Sequence, residues 1–364
     1  VGLGGAQVDY AISDMALDGT GKLEGRARIE IEDLYPLEVF LPYLANLSGK
    51  LSIDTRIGGI TSEPHLQGLV SLENANFDIP AGGLRAAQLE LDGRVSLQDQ
   101  LAVQGTLLLG DGEANIEALL DLAQWDAPRF NMEIDGKDLQ IIDLPDLGVT
   151  ADPELQLGWS PGAWTVGGQL AIPRARIAPS TAVAERVSES GDVVIVAGEN
   201  PDRMPADVPE KSVSGQVRIT VGDQVKVEMP AMSLDAGGEV EMNWTGNPIP
   251  GATGVIFLNG EIRSYGPRLR VEQGRIRFQG GTALDPRLDI RAERDIFGNT
   301  QIQTAGVRVA GTARRPLIEA YTHPVTTEER AWTLLVTGSD FQYGQGVGAF
   351  DIGTYIAPRL YISY

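Results

Sequence analysis

Few residues in this sequence are of types that could perform catalysis or bind a metal. There is no cysteine, which excludes thiol nucleophiles, thiolate metal sites and disulfides. The two histidines, His65 and His323, are far apart in the sequence and each lies beside a proline, as residues at turns often do. Asp285 and Asp289 have a spacing that a glycosidase dyad could use, but 50 acidic residues produce such pairs by chance.

Known catalytic and cofactor motifs are also missing from the sequence. It has no glycine-rich phosphate loop, no HExxH pair of histidines and no GxSxG nucleophile turn. We therefore predict that the protein is not an enzyme, with no catalytic residue, no metal ligand and no cofactor site. The glycosidase dyad is kept only as a remote alternative.

Charge is unevenly distributed along the chain, whose net charge is −21. Residues 254–320 contain 11 arginines, no lysine and 7 acidic residues, a net charge of +4, whereas residues 1–253 carry −23. The long acidic part is therefore expected to bind neither nucleic acid nor an anionic membrane. The arginine-rich part is either a docking face or a solvated strand face.

Regular alternation of apolar and polar residues predicts β-strands over most of the chain. It is longest in residues 254–321, where Leu269, Val271, Ile276 and Phe278 alternate with polar residues, many of them arginines. Successive strand side chains point to opposite faces, so this pattern predicts one apolar face and one polar face. A unit of glycine, polar, apolar, polar and apolar residues recurs along the chain and places glycine where a strand begins to bend. It begins at Gly25, Gly49, Gly68, Gly93, Gly105, Gly168, Gly215, Gly238 and Gly274.

Two segments depart from this alternation and predict short helices. Residues 34–47 have apolar residues at helical spacing, weakened by Pro42, and are expected to cap one end of the apolar surface or to contact a membrane. Thr326 and Glu329 form a capping box before an apolar run that Gly338 ends. Residues 178–212 are predicted to be a long loop with one short strand, and residues 352–364 an aromatic strand.

Several blocks of this sequence resemble TamB-type proteins. They are IPRARI (residues 172–177), DVVIV (192–196), Tyr265-Gly266 followed by Leu269, GRIRF (274–278), DPRLDIRAER (285–294) and GVRVAGTARRP (306–316). The resemblance implies a curved β-trough with a hydrophobic interior, related to AsmA-like lipid-transfer proteins. It also implies a periplasmic location, an inner-membrane anchor upstream of Val1, and a BamA-like outer-membrane barrel, TamA, as partner.

We therefore predict an all-β fold: an elongated, curved antiparallel sheet forming an open hydrophobic trough (β-taco), with two short helices. Stacked β-sandwiches, whose apolar faces would cover one another, are the alternative that alternation alone does not exclude. The expected parts are an N-terminal stretch of trough (1–177), a loop (178–212), a C-terminal stretch of trough (213–321), and a helix with a terminal strand (322–364).

The predicted function is a bridge that carries phospholipid acyl chains between the two membranes. The alternative is an assembly factor for outer-membrane β-barrel proteins, acting with the barrel partner. The barrel partner is expected to contact the terminal strand through Tyr355, Leu360, Tyr361, Ile362 and Tyr364. The predicted groove lining consists of Leu51, Ile53, Val70, Leu72, Val95, Leu97, Leu107, Leu109, Leu170, Ile172, Val217, Ile219, Val221, Val240, Met242, Trp244, Leu269, Val271, Ile276 and Phe278.

Overall fold

The computed structural model describes residues 6–13, 22–60, 63–96, 100–123, 127–178, 212–229, 232–263, 268–297, 299 and 301–337, with only the backbone for residues 6–13, 23, 63 and 64. These residues form eighteen β-strands, one α-helix and two short 3-10 helices. The predicted all-β, antiparallel and open sheet with few helices is confirmed.

The strands and helices have the following bounds. The strands are β1 (Ala6–Ser13), β2 (Lys22–Ile31), β3 (Ala45–Ile60), β4 (Glu63–Ile79), β5 (Leu84–Val95), β6 (Gln100–Leu109), β7 (Gly112–Asp121), β8 (Arg129–Lys137), β9 (Leu139–Leu144), β10 (Leu147–Ser160), β11 (Ala163–Ile177), β12 (Ser212–Met229), β13 (Met232–Thr245), β14 (Gly251–Arg263), β15 (Arg268–Thr282), β16 (Arg287–Asp295), β17 (Thr304–Thr312) and β18 (Arg315–His323). The 3-10 helices are Tyr35–Phe40 and Pro80–Gly82, and α1 is Glu328–Thr337.

The chain divides into two compact units. Unit 1 comprises residues 1–225 and 241–251, and unit 2 comprises residues 226–240 and 252–364. In unit 1, consecutive strands from β1 to β8 pair antiparallel with their neighbours in sequence. β9 continues β8, both pair with β10, and β10 pairs with β11. The pairings form a linear series, so this sheet is open.

One pairing in unit 1 departs from the predicted antiparallel meander. The amide of Ser212 donates to the carbonyl oxygen of Gly162 at the start of β12. Further along the same strand, Gly222 lies against the backbone of Pro173. Both strands thus advance in the same direction, so β11 and β12 are parallel. A parallel neighbour requires a connection of a dozen or more residues, and residues 178–211 supply that length.

Bulges bend several strands of unit 1 away from a flat sheet. Asn46, Asn74, Gln88 and Asp138 have φ values of 48–55°, which are rare for residues other than glycine. The first three lie at or beside register shifts in β3, β4 and β5, and Asp138 separates β8 from β9. A bulge bends its strand and increases its twist. We infer that these bulges together produce the curvature of the sheet in unit 1.

Polar side chains stabilise the bulged backbone. Asn76 donates from Nδ2 to the Ser48 hydroxyl and accepts at Oδ1 from the amide of Gln88, at 3.3 and 3.0 Å. These two bonds connect β3, β4 and β5 at the level of the bulges. Further along the sheet, Asp152 accepts from the amide of Asp138 at 2.6 Å.

Glycine allows adjacent strands to approach closely where the sheet bends. A Cβ atom on Gly105 of β6 would lie 1.8 Å from the carbonyl oxygen of Glu90, beside the bulge in β5. Among the glycines of the predicted repeat, Gly68, Gly168 and Gly215 also lie against the backbone of the neighbouring strand. The interpretation of these glycines as sites of bending or close approach agrees with this geometry.

The first predicted helix differs from expectation in type and length. It is a 3-10 helix over Tyr35–Phe40, flanked by non-helical residues, whereas residues 34–47 were expected to form an amphipathic helix. Pro42 lacks the amide hydrogen that a longer helix would need at that position. Leu34 is buried with Leu47 and Ala75, so one side of this segment does cover the sheet.

The helix α1 confirms the second predicted helix, with one correction at its start. Thr327, not Thr326, is the capping residue, because its hydroxyl accepts from the amide of Arg330 at 3.4 Å. Ala331, Leu334 and Leu335 of α1 are buried in one cluster with apolar residues of unit 2 strands. The helix therefore packs on the apolar side of β17 and β18.

Replacing Gly105 with alanine tests the close approach of β5 and β6. The added methyl group meets the Glu90 carbonyl oxygen, and a backbone atom cannot move as a flexible side chain can. We expect Gly105→Ala to lower the free energy of unfolding by about 1–3 kcal/mol, as overpacking does. Gly148→Ala is the control, since nothing lies within 4 Å of its Cβ position. Urea denaturation in which both variants unfold at the same urea concentration would contradict this account.

Candidate hydrophobic groove

The strand register of unit 1 places apolar residues of nine neighbouring strands, β2 to β8, β10 and β11, on one face. We call this surface the apolar face. One row across it is Ile29, Ile53, Val70, Gly93, Val103, Ala118, Met132, Leu157 and Val166. The adjacent row is Ile31, Leu51, Leu72, Leu91, Gly105, Ile116, Ile134, Leu155 and Gly168. At about 4.8 Å between strands, each row is about 40 Å long.

The apolar face is only partly shielded from solvent. Every residue of the two rows that carries a side chain is half-buried, and none of these side chains is fully buried. In a β-sandwich, a second sheet about 10 Å away would bury the central side chains of such rows. The burial of the described residues of unit 1 therefore favours an open groove over stacked β-sandwiches, which the sequence alone did not exclude.

The apolar face is also free of charge over these rows. All of its members are aliphatic residues, methionine or glycine. Charged residues alternate with them on the opposite face, where Arg26 and Arg28 bind Asp54 at 2.6 and 2.9 Å. Hydrogen bonds from these two guanidinium groups lower the pKa of Asp54, so this carboxylate stays ionised on the outer face.

Aromatic residues lie at one edge of the apolar face. Phe130 of β8 is opposite Trp159 of β10, which is opposite Trp164 of β11. The two tryptophan rings are tilted, with centroids 6.4 Å apart. Trp164 is 38% exposed, so this edge offers a broad apolar surface to a ligand.

The 3-10 helix Tyr35–Phe40 covers another part of the same face. Leu37 packs with Leu51 and Leu72 against the buried cluster that contains Leu34. Other apolar side chains of this segment point away: Val39 and Phe40 are 83% and 77% exposed. The segment thus closes part of the apolar face and presents apolar side chains to solvent.

Most residues predicted to line the groove in unit 1 lie on the apolar side of their strands. They are Leu51, Ile53, Val70, Leu72, Val95, Leu107, Leu109 and Leu170, all of which share a face by register. Ile172 lies at the bulge of β11, and Leu97 lies outside the described residues. Val217 of β12 is buried, whereas Ile219, Val221, Met242 and Trp244 are half-buried.

The predicted groove residues of unit 2 have a different environment. Leu269 and Val271 are 4% and 7% exposed and belong to the buried cluster that includes α1. They pack in a protein core at this place and do not face an open groove. Val240 is also buried, while Ile276 and Phe278 are half-buried.

The predicted groove residues left out several central residues of the apolar face, most of them in strands that lack the glycine unit. Ile116, Met132, Ile134, Leu155 and Leu157 are examples. They do alternate with polar residues, in RFNMEID and ELQLGW, and this alternation could have identified them.

The described residues contain neither a candidate metal site nor a helix that could span a membrane. No group of three histidine, cysteine or acidic side chains is placed to hold a metal ion. The described helices are too short or too polar to cross a membrane. The terminal-strand residues Tyr355, Leu360, Tyr361, Ile362 and Tyr364 lie outside the described part of the chain.

Comparison with known proteins shows the family of this chain. Residues 102–350, more than half of the chain, match the family model of the TamB C-terminal domain. The chain belongs to the TamB family. One relative is the translocation and assembly module subunit TamB of Haemophilus influenzae, 24% identical over 360 residues. That alignment covers 94% of this chain and 27% of the relative, so the chain spans about a quarter of that TamB protein's length.

Proposed function

We propose that this chain forms part of a periplasmic bridge that carries phospholipid between the inner and outer membranes. The observation that carries the proposal is the uncharged, half-exposed apolar face about 40 Å long in unit 1. The hydrocarbon core of a bilayer is about 30 Å thick and consists of two leaflets, so one acyl chain spans about half of that thickness. The apolar face is therefore longer than one acyl chain.

Burial of an acyl chain on this face would provide the driving force. At about 0.8 kcal/mol per buried CH₂ group, a chain of about sixteen carbons would gain roughly 12 kcal/mol before ordering costs. Neighbouring rows are equally apolar, so an acyl chain would move between binding sites of similar free energy. Transport of this kind needs no chemical step, and we accordingly propose a carrier and not an enzyme.

A charge on the apolar face should block lipid binding without unfolding the protein. Val103 lies at the centre of the first row and is half-buried, so the carboxylate of Val103→Asp retains access to water. We expect this variant to lose most of the phospholipid that co-purifies with the chain. Its unfolding free energy should fall by no more than about 1 kcal/mol, as for a surface substitution.

Gln104→Asp is the matched control, because residue 104 is next in the same strand and exposed on the opposite face. It should keep its phospholipid in native mass spectrometry. If Val103→Asp instead unfolds the chain, as an unpaired charge in a closed core would, the face is covered and the conduit is wrong. A wild-type chain that never carries lipid would also contradict the proposal.

A second candidate function is assembly of outer-membrane β-barrel proteins. The H. influenzae relative is named as a subunit of a translocation and assembly module. In unit 2, β18 pairs with β17, and Leu317 and Ile318 of β18 are 56% and 39% exposed. Exposed apolar side chains on a sheet are a surface on which an extended segment of another chain can pack.

Both functions place the protein beside an outer-membrane barrel. We propose a TamA/BamA-like barrel as partner, contacted through the terminal strand, and an inner-membrane anchor in the full-length protein. In this arrangement the apolar face handles lipid, and residues 352–364 make the barrel contact.

Removal of residues 353–364 should separate these two roles. We expect the truncated chain to lose at least tenfold in recovery of the barrel partner in a pull-down, because the terminal strand supplies the contact. Co-purified phospholipid should be unchanged. Lipid loss with intact partner binding would reverse the assignment of the two regions.

A further inference from the structure

Two arginines of unit 2 face one another on the side of the sheet opposite to the buried cluster. Arg291 of β16 and Arg308 of β17 are directly opposite in the strand register, and both are exposed. Like charges at such positions destabilise a strand pair. Within the described residues, no carboxylate lies at ion-pair distance from either guanidinium group, even though Glu319 is opposite Arg308 in the next strand.

A neighbouring arginine pair shows how the sheet usually compensates for such repulsion. Arg277 of β15 is directly opposite Arg287 of β16. Arg277 lies 3.6 Å from a carboxylate oxygen of Asp289, which is two residues along the partner strand. Asp289 and Glu293 each lie two residues from Arg291 on the same strand face, but within the described residues neither forms an ion pair with Arg291 or Arg308. An anion from outside the chain would therefore be stabilised between the two guanidinium groups.

These arginines border a cavity of about 410 Å³, which is within the size range of small-molecule sites. The cavity lies between the outer face of β16 to β18 and the segment that leads from β18 to α1. The ring of Tyr321 covers Gly306 on this face and forms part of the wall. Val325, which is 88% exposed, adds apolar surface from the linking segment.

The cavity also contains negative charge. Glu319 and Glu328 are both part of its lining. Burial and the nearby Glu293 raise the pKa of Tyr321 to about 12, so its hydroxyl is neutral at physiological pH and adds no charge. The lining therefore offers two guanidinium groups and two carboxylates, which suits a ligand that carries both signs of charge.

We propose that this cleft binds a small zwitterionic phosphoester, with its phosphate between Arg291 and Arg308 and its ammonium group against Glu319 or Glu328. Guanidinium groups bind phosphate oxygens through paired, charge-assisted hydrogen bonds. An anion without a cationic group would meet the two carboxylates unfavourably. The cleft is a site on the outer face of unit 2, so the proposal does not depend on lipid binding to the apolar face of unit 1.

Isothermal titration calorimetry of the whole chain with sn-glycero-3-phosphoethanolamine tests the proposal. The double variant Arg291→Gln/Arg308→Gln should bind at least tenfold more weakly than the wild type. Arg287→Gln/Arg315→Gln is the control, because it removes the same charge from exposed positions of β16 and β18 outside the cavity. It should bind within twofold of the wild type, and circular dichroism should show all variants folded.

The amine is tested by comparison with glycerol 3-phosphate, which lacks it. The wild type should prefer the phosphoethanolamine ester, and Glu319→Gln should reduce that preference. No heat of binding to the wild type at millimolar ligand, or equal losses in the two arginine double variants, would overturn the proposal.

Vesicles distinguish the two sources of such a phosphoester. Sedimentation of the chain with phosphatidylethanolamine vesicles, lost in Arg291→Gln/Arg308→Gln but kept in the control, would assign the cleft to a lipid headgroup. Binding of the soluble ester without sedimentation would assign it to a free metabolite. In both cases Val103→Asp, which changes the apolar face of unit 1, should still bind the phosphoester at the cleft. Failure of the proposed lipid conduit and failure of the proposed cleft are therefore separate results.

Discussion

Nine strands of unit 1 share an uncharged face that the described residues leave half-exposed, and this uncovered apolar area constrains the other features of the fold. Exposing apolar surface costs about 25 cal/mol per Å², so a row of aliphatic side chains about 40 Å long is expensive to leave in water. Soluble proteins rarely keep such a patch without a partner or ligand. A groove for hydrocarbon chains explains why a long strand array would retain it.

The outline of the groove depends on backbone features more than on the apolar residues themselves. Bulges at Asn74, Gln88 and Asp138 bend the strands, and Asn76 and Asp152 hold the bent backbone by hydrogen bonds. Shielding is local: a 3-10 helix covers part of the face in unit 1, and α1 covers β17 and β18 in unit 2. Elsewhere on the apolar face of unit 1, the strands themselves provide only partial shielding.

The strands and their two faces could be predicted from the sequence because alternation at every second residue is a direct consequence of strand geometry. The register placed Leu51, Val70 and Leu107 on one face, as alternation predicts. The parallel pairing of β11 and β12 was not predictable, because alternation is the same for either strand direction. Only the length of residues 178–211 indicated a connection longer than a hairpin.

Sequence also could not show which apolar strand residues are covered and which are open. Leu269 and Val271 of unit 2 alternate just as Ile53 and Val70 of unit 1 do, yet the first pair is buried in a cluster that also contains residues of α1. Which strand a helix packs on depends on tertiary contacts that local periodicity does not contain. Within the arginine-rich part, the cleft at Arg291 and Arg308 could not be singled out for a similar reason, since a solvated strand face and a docking face have the same charge pattern.

Site-specific photo-crosslinking tests the central claim most directly. A photoreactive benzoylphenylalanine at residue 116 would replace a half-buried isoleucine of the apolar face, and the same group at residue 115 would replace an exposed asparagine of the outer face. The account predicts phospholipid adducts in mass spectra after irradiation in cells at position 116 and not at 115. Equal labelling at both positions, or none at position 116 in folded protein, would contradict it.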